Sequence, residues 1–291
     1  MFKILEKKYL APEIYAFTIK APRVAKAAKP GQFVIIIIEE DGERIPLTIC
    51  DSNKDLGTIY LVIQAIGAST KKLIAKKEGE YIKDLLGPLG KPSEFIYEDL
   101  NSLKEKKILL AGGGVGVAPL MPQAKWLKEN GVKFDIVTGS KSKEFVILEK
   151  EFKELADFFF IATDDGSYGF RGMVTDAIKE LIINRKREYD LCIIIGPMIM
   201  MKFTAKVTKE LGLKSIVSMN PIMVDGTGMC GACRVNLDGE IKFACVDGPE
   251  FDAHKIDFDE ALRRQAQYKD QEQLKDHEYC ELVGGMKSGQ I

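Results

Sequence analysis

Between residues 103 and 215, short apolar runs and helix-length segments alternate four times: ILLAGG with APLMPQAKWLKENG, FDIVTG with KEFVILEKEFKELADF, FFIATDDGS with MVTDAIKELIINR, and DLCIIIGP with MIMMKFTAKVTKELG. Strands joined only through helices run parallel, because a tight turn can connect only antiparallel neighbours. This stretch is therefore expected to form a parallel sheet with helices on its faces, a Rossmann-like α/β unit.

The preceding segment, residues 1–100, has a different texture. EIYAFTIKAP, GQFVIIIIEE, ERIPLTIC and GTIYLVIQAIG are short, rich in β-branched residues and separated by Gly, Pro, Asp and Asn. That pattern predicts an antiparallel β-barrel or sandwich. Residues 216–255 form a Gly-rich loop segment with clustered cysteines, and residues 256–291 a polar tail. A chain of 291 residues divided this way is expected to build two medium cores plus a small appended unit.

With 42 basic and 43 acidic residues, the net charge of -1 gives no electrostatic reason for nucleic acid or an anionic membrane as partner. The amino-terminal MFKILEKKYL is charged where a signal peptide needs an apolar stretch, and no run approaches the ~20 apolar residues of a membrane helix. A cytoplasmic protein is expected. In a reducing compartment, clustered cysteines favour metal over disulfide.

The strand-to-helix turn KILLAGGGVGVAPL carries Gly112, Gly113, Gly114 and Gly116, with Pro119 near the next helix. Glycines there let the backbone approach a pyrophosphate, while the helix start supplies free N–H groups. One or two glycines would suffice for a tight turn; four point to a nucleotide. Asp164 in TDDGSYG and Gly196-Pro197 in GPMIMM follow later strands, and ligands of open α/β sheets gather at such carboxyl ends. After the second strand, Ser140, Lys141 and Lys143 could hold a 2'-phosphate, and no acidic residue stands there in sequence for a ribose hydroxyl.

In GERIPLTICD, Arg44 can clamp a pyrophosphate and Thr48 can hydrogen-bond a flavin ring, with Pro46 and Leu47 between them; in QAIGASTKKL, Gly67, Ser69 and Thr70 open a helix suited to phosphate oxygens. Separately these read as a surface charge and a helix cap. Their order matters more: R-x-P-L-T, G-x-S-T, a GPLG turn and G-G-G-x-G-x-A-P together resemble the ferredoxin-NADP reductase superfamily over roughly residues 1–215. The resemblance implies an FAD-binding barrel, a NAD(P)-binding domain, and hydride exchange between NAD(P)H and flavin. Many members have Cys before the last Gly-Pro; here it is Ile195, so no thiol is expected at that point.

Cys230, Cys233 and Cys245 are one ligand short of four. Plant-type [2Fe-2S] sites use C-x4-C-x2-C and a distant Cys, and counting back from Cys230 puts Asp225 in the first slot. A structural zinc on a non-redox nucleotide-binding scaffold and an incidental turn are the competing readings; zinc sites usually add a second C-x2-C pair or His, which this segment lacks. The [2Fe-2S] reading is preferred because a flavin receiving electron pairs needs a one-electron outlet.

Barrel, nucleotide domain and cluster loop in this order resemble the electron-transfer subunit of dihydroorotate dehydrogenase. Asp225 in the first slot and the CVDGPEFDAHKIDFDE continuation are more similar to the small subunits of electron-bifurcating NADH-dependent ferredoxin:NADP oxidoreductases, related to sulfide dehydrogenase. That resemblance implies NAD(H) as the favoured nucleotide, with NADP(H) possible. It also implies a heterodimer with a large, glutamate-synthase-like subunit carrying flavin and [4Fe-4S] clusters, and ferredoxin as an indirect partner. No side chain is expected to act as acid or base; His254 and His277 are isolated, and Cys50 and Cys192 read as packing residues. The tail is either solvated or a docking arm for the large subunit.

Overall fold

The computed structural model describes residues 1–283. The first part is an antiparallel barrel of β1 (Phe2–Ala11), β2 (Ile14–Lys20), β3 (Phe33–Ile37), β4 (Arg44–Thr48), β5 (Asp51–Asn53), β6 (Thr58–Gln64), β7 (Tyr81–Ile82) and β8 (Asp84–Leu89), in sheets ordered β5-β6-β2-β1-β7 and β4-β3-β8. Helices α1 (Pro22–Ala27) and α2 (Ala68–Ala75) flank it, and α3 (Leu100–Glu105) leads out, capped by the Asp99 carboxylate on the Ser102 N–H.

The second part alternates β9 (Ile108–Gly113), α4 (Leu120–Glu129), β10 (Phe134–Ser140), α5 (Glu149–Leu155), β11 (Phe158–Thr163), β12 (Phe170–Arg171), α6 (Val174–Lys179), β13 (Leu191–Ile195), α7 (Met198–Glu210) and β14 (Ser215–Ser218). The cluster segment contributes the hairpin β15 (Arg234–Leu237) and β16 (Glu240–Phe243), then β17 (Glu250–Asp252), and the tail forms α8 (Phe258–Gln265) and α9 (Lys269–Leu282). The large sheet has the order β12-β11-β10-β9-β13-β14-β17, parallel except for β17.

That last strand changes the division drawn from sequence. A boundary at residue 215 falls inside β14, and β17 returns to pair antiparallel beside it, Val217 opposite Phe251. The cluster segment is thus an excursion from the sheet edge with both ends anchored.

Strand composition follows from two-sided burial. β3 reads FVIII without alternation because Val34 and Ile36 enter the barrel core while Phe33 and Ile35 pack with Phe251, Cys233 and Val235 of the adjoining part. Likewise Leu109 and Ala111 of β9 face one helical layer and Ile108 and Leu110 the other, where Ala11, Ile14 and Cys50 of the barrel join them. Instead of two separate cores, three clusters form, two of them shared across the parts. Cys50 and Cys192 are buried in these clusters, and burial raises the Cys50 thiol to about 12.

One polar group sits at the junction. Glu250 of β17 accepts hydrogen bonds from Ser93 Oγ at 2.8 Å and from Gln123 Nε2 of α4 at 2.6 Å, so a single carboxylate joins the barrel exit, the nucleotide domain and the returning strand. Its Oε2 and Gln123 Oε1 are buried without a hydrogen-bond partner among the described residues. Burial raises the carboxyl from 4.5 to about 7, against the opposing pull of the Ser93 and Gln123 hydrogen bonds. The folded protein therefore holds a proton that the unfolded chain releases between about pH 4.5 and about pH 7, and stability falls as pH rises through that window. The difference amounts to roughly 3 kcal/mol at 1.36 kcal/mol per pH unit. Thermal unfolding followed from about pH 5 to about pH 8 should show a declining midpoint in the wild type and a flatter profile in Glu250→Gln.

Candidate electron-transfer site

At the carboxyl ends of β9 and β13 the backbone is packed too closely for side chains. A Cβ on Gly113 would lie 2.5 Å from Met200 Sδ, one on Gly116 would lie 2.6 Å from Gly196 Cα, and one on Gly112 would lie 2.8 Å from Leu120 Cδ1. Gly112, Gly113, Gly116 and Gly196 therefore let two strand ends meet beneath α7, whose cap is Pro197. Gly114 differs: it is left-handed, at φ +55, and a Cβ there would have nothing within 4 Å, so its face of the turn is open. The turn is a short 3-10 segment, Gly114–Val117, and α4 begins only after Pro119.

Beside it, the turns after β10 and β11 are linked: the Asp164 N–H donates to Ser140 O at 3.0 Å and the Asp165 N–H to Lys141 O at 3.3 Å. Asp164, expected from sequence at the strand ends, thus lies against the end of β10. Partial burial and then the nearby Asp165 raise the Asp164 carboxyl, with Lys141 opposing. Lys143 lies 5.3 Å from the Tyr168 ring centroid, a cation–π contact.

The two flavin motifs meet on the barrel. Ser69 Oγ donates to the Glu43 carboxylate, bringing the start of α2 against the residue preceding Arg44. Thr70 is used internally, accepting the N–H groups of Ile66 at 2.9 Å and Gly67 at 3.1 Å. Pro46, Leu47 and Thr48 lie half-buried along β4. Arg44 turns to the cluster loop, where its Nε donates to Val224 O and its Nη2 to Asp225 O at 3.2 Å.

Within that loop, Cys233 and Cys245 are buried with their sulfurs 3.2 Å apart. This is far longer than a disulfide at ~2.05 Å and shorter than the ~3.8 Å of two thiolates on one tetrahedral ion with bonds of ~2.3 Å, so the two sulfurs are unbonded and adjacent. Burial, then the neighbouring Cys233, push the Cys245 thiol up to about 12, and ligation by a metal removes such a proton. Cys230 is exposed; the N–H groups of Ala232 and then Asp225 are aimed at its sulfur and hold the thiol below its usual range. The Asp225 Oδ2 accepts from Thr227 Oγ1 at 2.6 Å, Thr227 N–H at 2.8 Å and Met229 N–H at 3.2 Å, which keeps the carboxylate ionised. The structure brings Cys233 and Cys245 together, with Cys230 and Asp225 as neighbours at the exposed side. Among the described residues no three such side chains converge as a formed metal cage. Three free thiols, a carboxylate and N–H groups directed at sulfur are nonetheless a donor set that fits an iron–sulfur cluster.

Comparison with known proteins decides what this assembly is. Residues 220–257 match the iron-sulfur cluster binding domain of dihydroorotate dehydrogenase B. The dihydroorotate dehydrogenase B (NAD(+)) electron transfer subunit homolog of Thermotoga maritima is 48% identical over 97% of this chain and 96% of its own. The chain belongs to the dihydroorotate dehydrogenase B electron-transfer subunit family.

The corresponding subunit of Fusobacterium nucleatum is 32% identical, over 87% of this chain and 96% of its own. A solved structure of an NADH-dependent reduced ferredoxin-NADP oxidoreductase superposes with a TM-score of 0.87 at 46% identity, covering 96% of this chain and 98% of that one. The resemblance to that oxidoreductase is therefore borne out, and the iron–sulfur match settles the cysteine loop against zinc. This family member is an electron-transfer subunit of an NAD(P)H-dependent flavoprotein oxidoreductase, with FAD, a [2Fe-2S] cluster and NAD(H) as its redox groups. No helix among the described residues is long and apolar enough to cross a membrane.

The glycine turn separates closely packed positions from an open one. Gly116→Ala should cost roughly 1–3 kcal/mol in unfolding because its methyl meets backbone. Gly114→Ala should cost about 1–2 kcal/mol for its left-handed backbone and, in addition, weaken NADH binding measured by anaerobic flavin-reduction titration.

Proposed function

We propose that this chain is the small subunit of a ferredoxin:NADP oxidoreductase-type complex, exchanging hydride equivalents with NAD(H) and single electrons with a large partner. In this reading Arg44, Pro46, Leu47, Thr48, Gly67, Ser69 and Thr70 hold FAD. Gly112, Gly113, Gly114, Gly116, Asp164, Gly196 and Pro197 hold the nicotinamide nucleotide, and Asp225, Cys230, Cys233 and Cys245 hold the cluster. FAD supplies the conversion between two-electron and one-electron chemistry. In this reading the protein orients: Arg44 and Thr48, at alternate positions of β4, would serve phosphate and ring, the open face at Gly114 would admit phosphate, and the loop N–H groups favour anionic sulfur.

The observation that carries this reading is the contact of the cluster loop with the flavin strand. Arg44 of β4 bonds Val224 and Asp225, and a Cβ on Gly226 would lie 2.6 Å from Ile35 Cδ1 of β3, so the loop rests on the flavin sheet. The 46% identity to the NADH-dependent ferredoxin-NADP oxidoreductase, over 96% of this chain and 98% of that one, supports the first kind of partner; the 48% identical Thermotoga maritima relative, a dihydroorotate dehydrogenase B electron transfer subunit homolog, keeps a dihydroorotate dehydrogenase as the alternative. The proposed partner is a glutamate-synthase-like subunit with flavin and [4Fe-4S] clusters, with ferredoxin reached through it. Six free cysteines are consistent with a reducing, cytoplasmic setting.

Asp164 beside Ser140 and Lys141 supports NAD(H), since a carboxylate there accepts from a ribose 2'-hydroxyl and repels a 2'-phosphate. Asp164→Asn should weaken NADH roughly tenfold, the effect of ~1.4 kcal/mol, and improve NADPH; stopped-flow reduction with each nucleotide reads both. For the cluster, low-temperature EPR of the dithionite-reduced chain should quantify near one [2Fe-2S] spin per chain. Asp225→Cys should retain it while moving the midpoint by on the order of tens of millivolts. An unchanged midpoint, or full retention with an unaltered spectrum in Asp225→Ala, removes Asp225 from the ligand set.

A further inference from the structure

Arg44 stands where two cofactor sites meet. Its guanidinium is a rigid plane with five N–H donors, and the fork cannot redirect one edge without turning the other. Nε and Nη2 address the carbonyl oxygens of Val224 and Asp225, 180 residues away in sequence for the first of these. The remaining donors belong to the same plane, on the strand that carries the proposed flavin contacts.

The loop that Arg44 holds is itself stiff. The Asp225 carboxylate takes three hydrogen bonds from Thr227 and Met229, joining residues 225–229 into one unit. Gly226 is left-handed at φ +83, and a Cβ there would lie 2.6 Å from Ile35 Cδ1 and 2.9 Å from Leu89 Cδ1. The start of the cluster loop is therefore keyed to the barrel at two points, Arg44 and Gly226. Displacing the guanidinium displaces the main chain of the residue proposed as the first ligand.

We propose that Arg44 is a positioning residue that thermodynamically couples the flavin site to the cluster site, so that each cofactor strengthens retention of the other. The proposal rests on the assignment above of FAD to β4 and of the cluster to the Asp225 loop. A phosphate drawn to the free edge of Arg44 fixes the plane that seats residues 224 and 225, and a seated loop presents the same plane to phosphate. Such coupling is reciprocal by necessity. Charge alone does not produce it, because lysine supplies a point charge without the two-edged fork.

The test is FAD affinity, by quenching of flavin fluorescence, in the full-length chain with its cluster intact and after anaerobic removal of iron by chelation. Wild type, Arg44→Lys and Gly226→Ala are compared. The wild type should bind FAD about fivefold or more tightly when the cluster is present. In Arg44→Lys that ratio should fall below about twofold, with weaker binding in both states. Gly226→Ala, which disturbs loop seating and leaves the flavin strand intact, should lower the ratio while FAD affinity of the iron-free chain stays at the wild-type value; it carries the test if Arg44→Lys does not fold. EPR of the reduced cluster should change on adding FAD in the wild type and not in Arg44→Lys. A wild-type ratio within about twofold, or a ratio preserved in both variants, overturns the coupling. Failure of the underlying assignment looks different: FAD affinity unaltered by Arg44→Lys in either state removes Arg44 from the flavin site, and a cluster spectrum unaltered in Asp225→Ala removes the ligand.

Discussion

The antiparallel pairing of β17 with β14 is the constraint on which the rest of this molecule depends. Hydrogen bonds from the Met219 N–H to Pro249 O and from the Ala253 N–H to Ser215 O close the excursion of residues 219–249 at its base. A strand added to a sheet edge satisfies backbone groups that would otherwise be open to another chain. Here it also fixes both ends of the cluster loop to the nucleotide domain. From that base the loop meets the barrel at β3, β4 and β8, where Arg44 bonds Val224 and Asp225 and Gly226 lies against Ile35 and Leu89. Glu250, the first residue of β17, then ties that base to Ser93 and Gln123. A buried carboxyl with one oxygen unpartnered is costly, and its cost is tolerated where it specifies a single way for three parts to meet.

The glycine turn illustrates how one sequence motif answers two different demands. Four of its glycines and Gly196 are usually read together as a phosphate cradle, yet the contacts divide them. Gly112, Gly113, Gly116 and Gly196 are required because Leu120, Met200 and neighbouring backbone leave no room for a methyl. Gly114 has room but a left-handed backbone, and it alone of the five borders open space. The open face of the turn is therefore small, and the other glycines let strand ends and helix starts come close together around it.

Much of the architecture was legible from local chemistry. Alternating strand and helix lengths, the β-branched runs of the barrel and the clustered cysteines each reflect a short-range rule: periodicity, strand composition, ligand spacing. The hairpin between β15 and β16, turning at Asp238-Gly239 with both residues at positive φ, was not read from a segment taken as a loop. What else was not legible depended on distance. β17 is three residues, EFD, following a proline, and becomes a strand only because β14 offers an edge. Glu250 and Gln123 are residue types ordinarily exposed, and nothing near them in sequence announces burial. Asp164 beside Lys141 joins two loops that are remote in sequence but adjacent in the sheet.

The polar tail shows the same separation between local pattern and global placement. Its composition left open a solvated segment or a docking arm, and the structure gives its two helices different roles. Arg264 of α8 donates to Ala232 O at 3.1 Å, Asn236 donates to Glu260 at 3.1 Å, and Asp259 pairs with Lys202 of α7 at 2.6 Å, so α8 braces the hairpin and cluster loop. Helix α9 buries no residue, yet Asp276 pairs with Lys71 of α2 at 2.8 Å, on the helix whose Ser69 bonds Glu43 beside Arg44. Surface pairs of this kind each contribute little to stability, at most about 1 kcal/mol. Their value lies in sequence: tail to α2, α2 to Glu43, Arg44 to the Asp225 loop, and the loop back through Ala232 to α8. The chain thus closes a ring of contacts around β4. Residues 284–291 of the tail lie outside the described residues; within the described part, Leu274 and Leu282 of α9 are exposed.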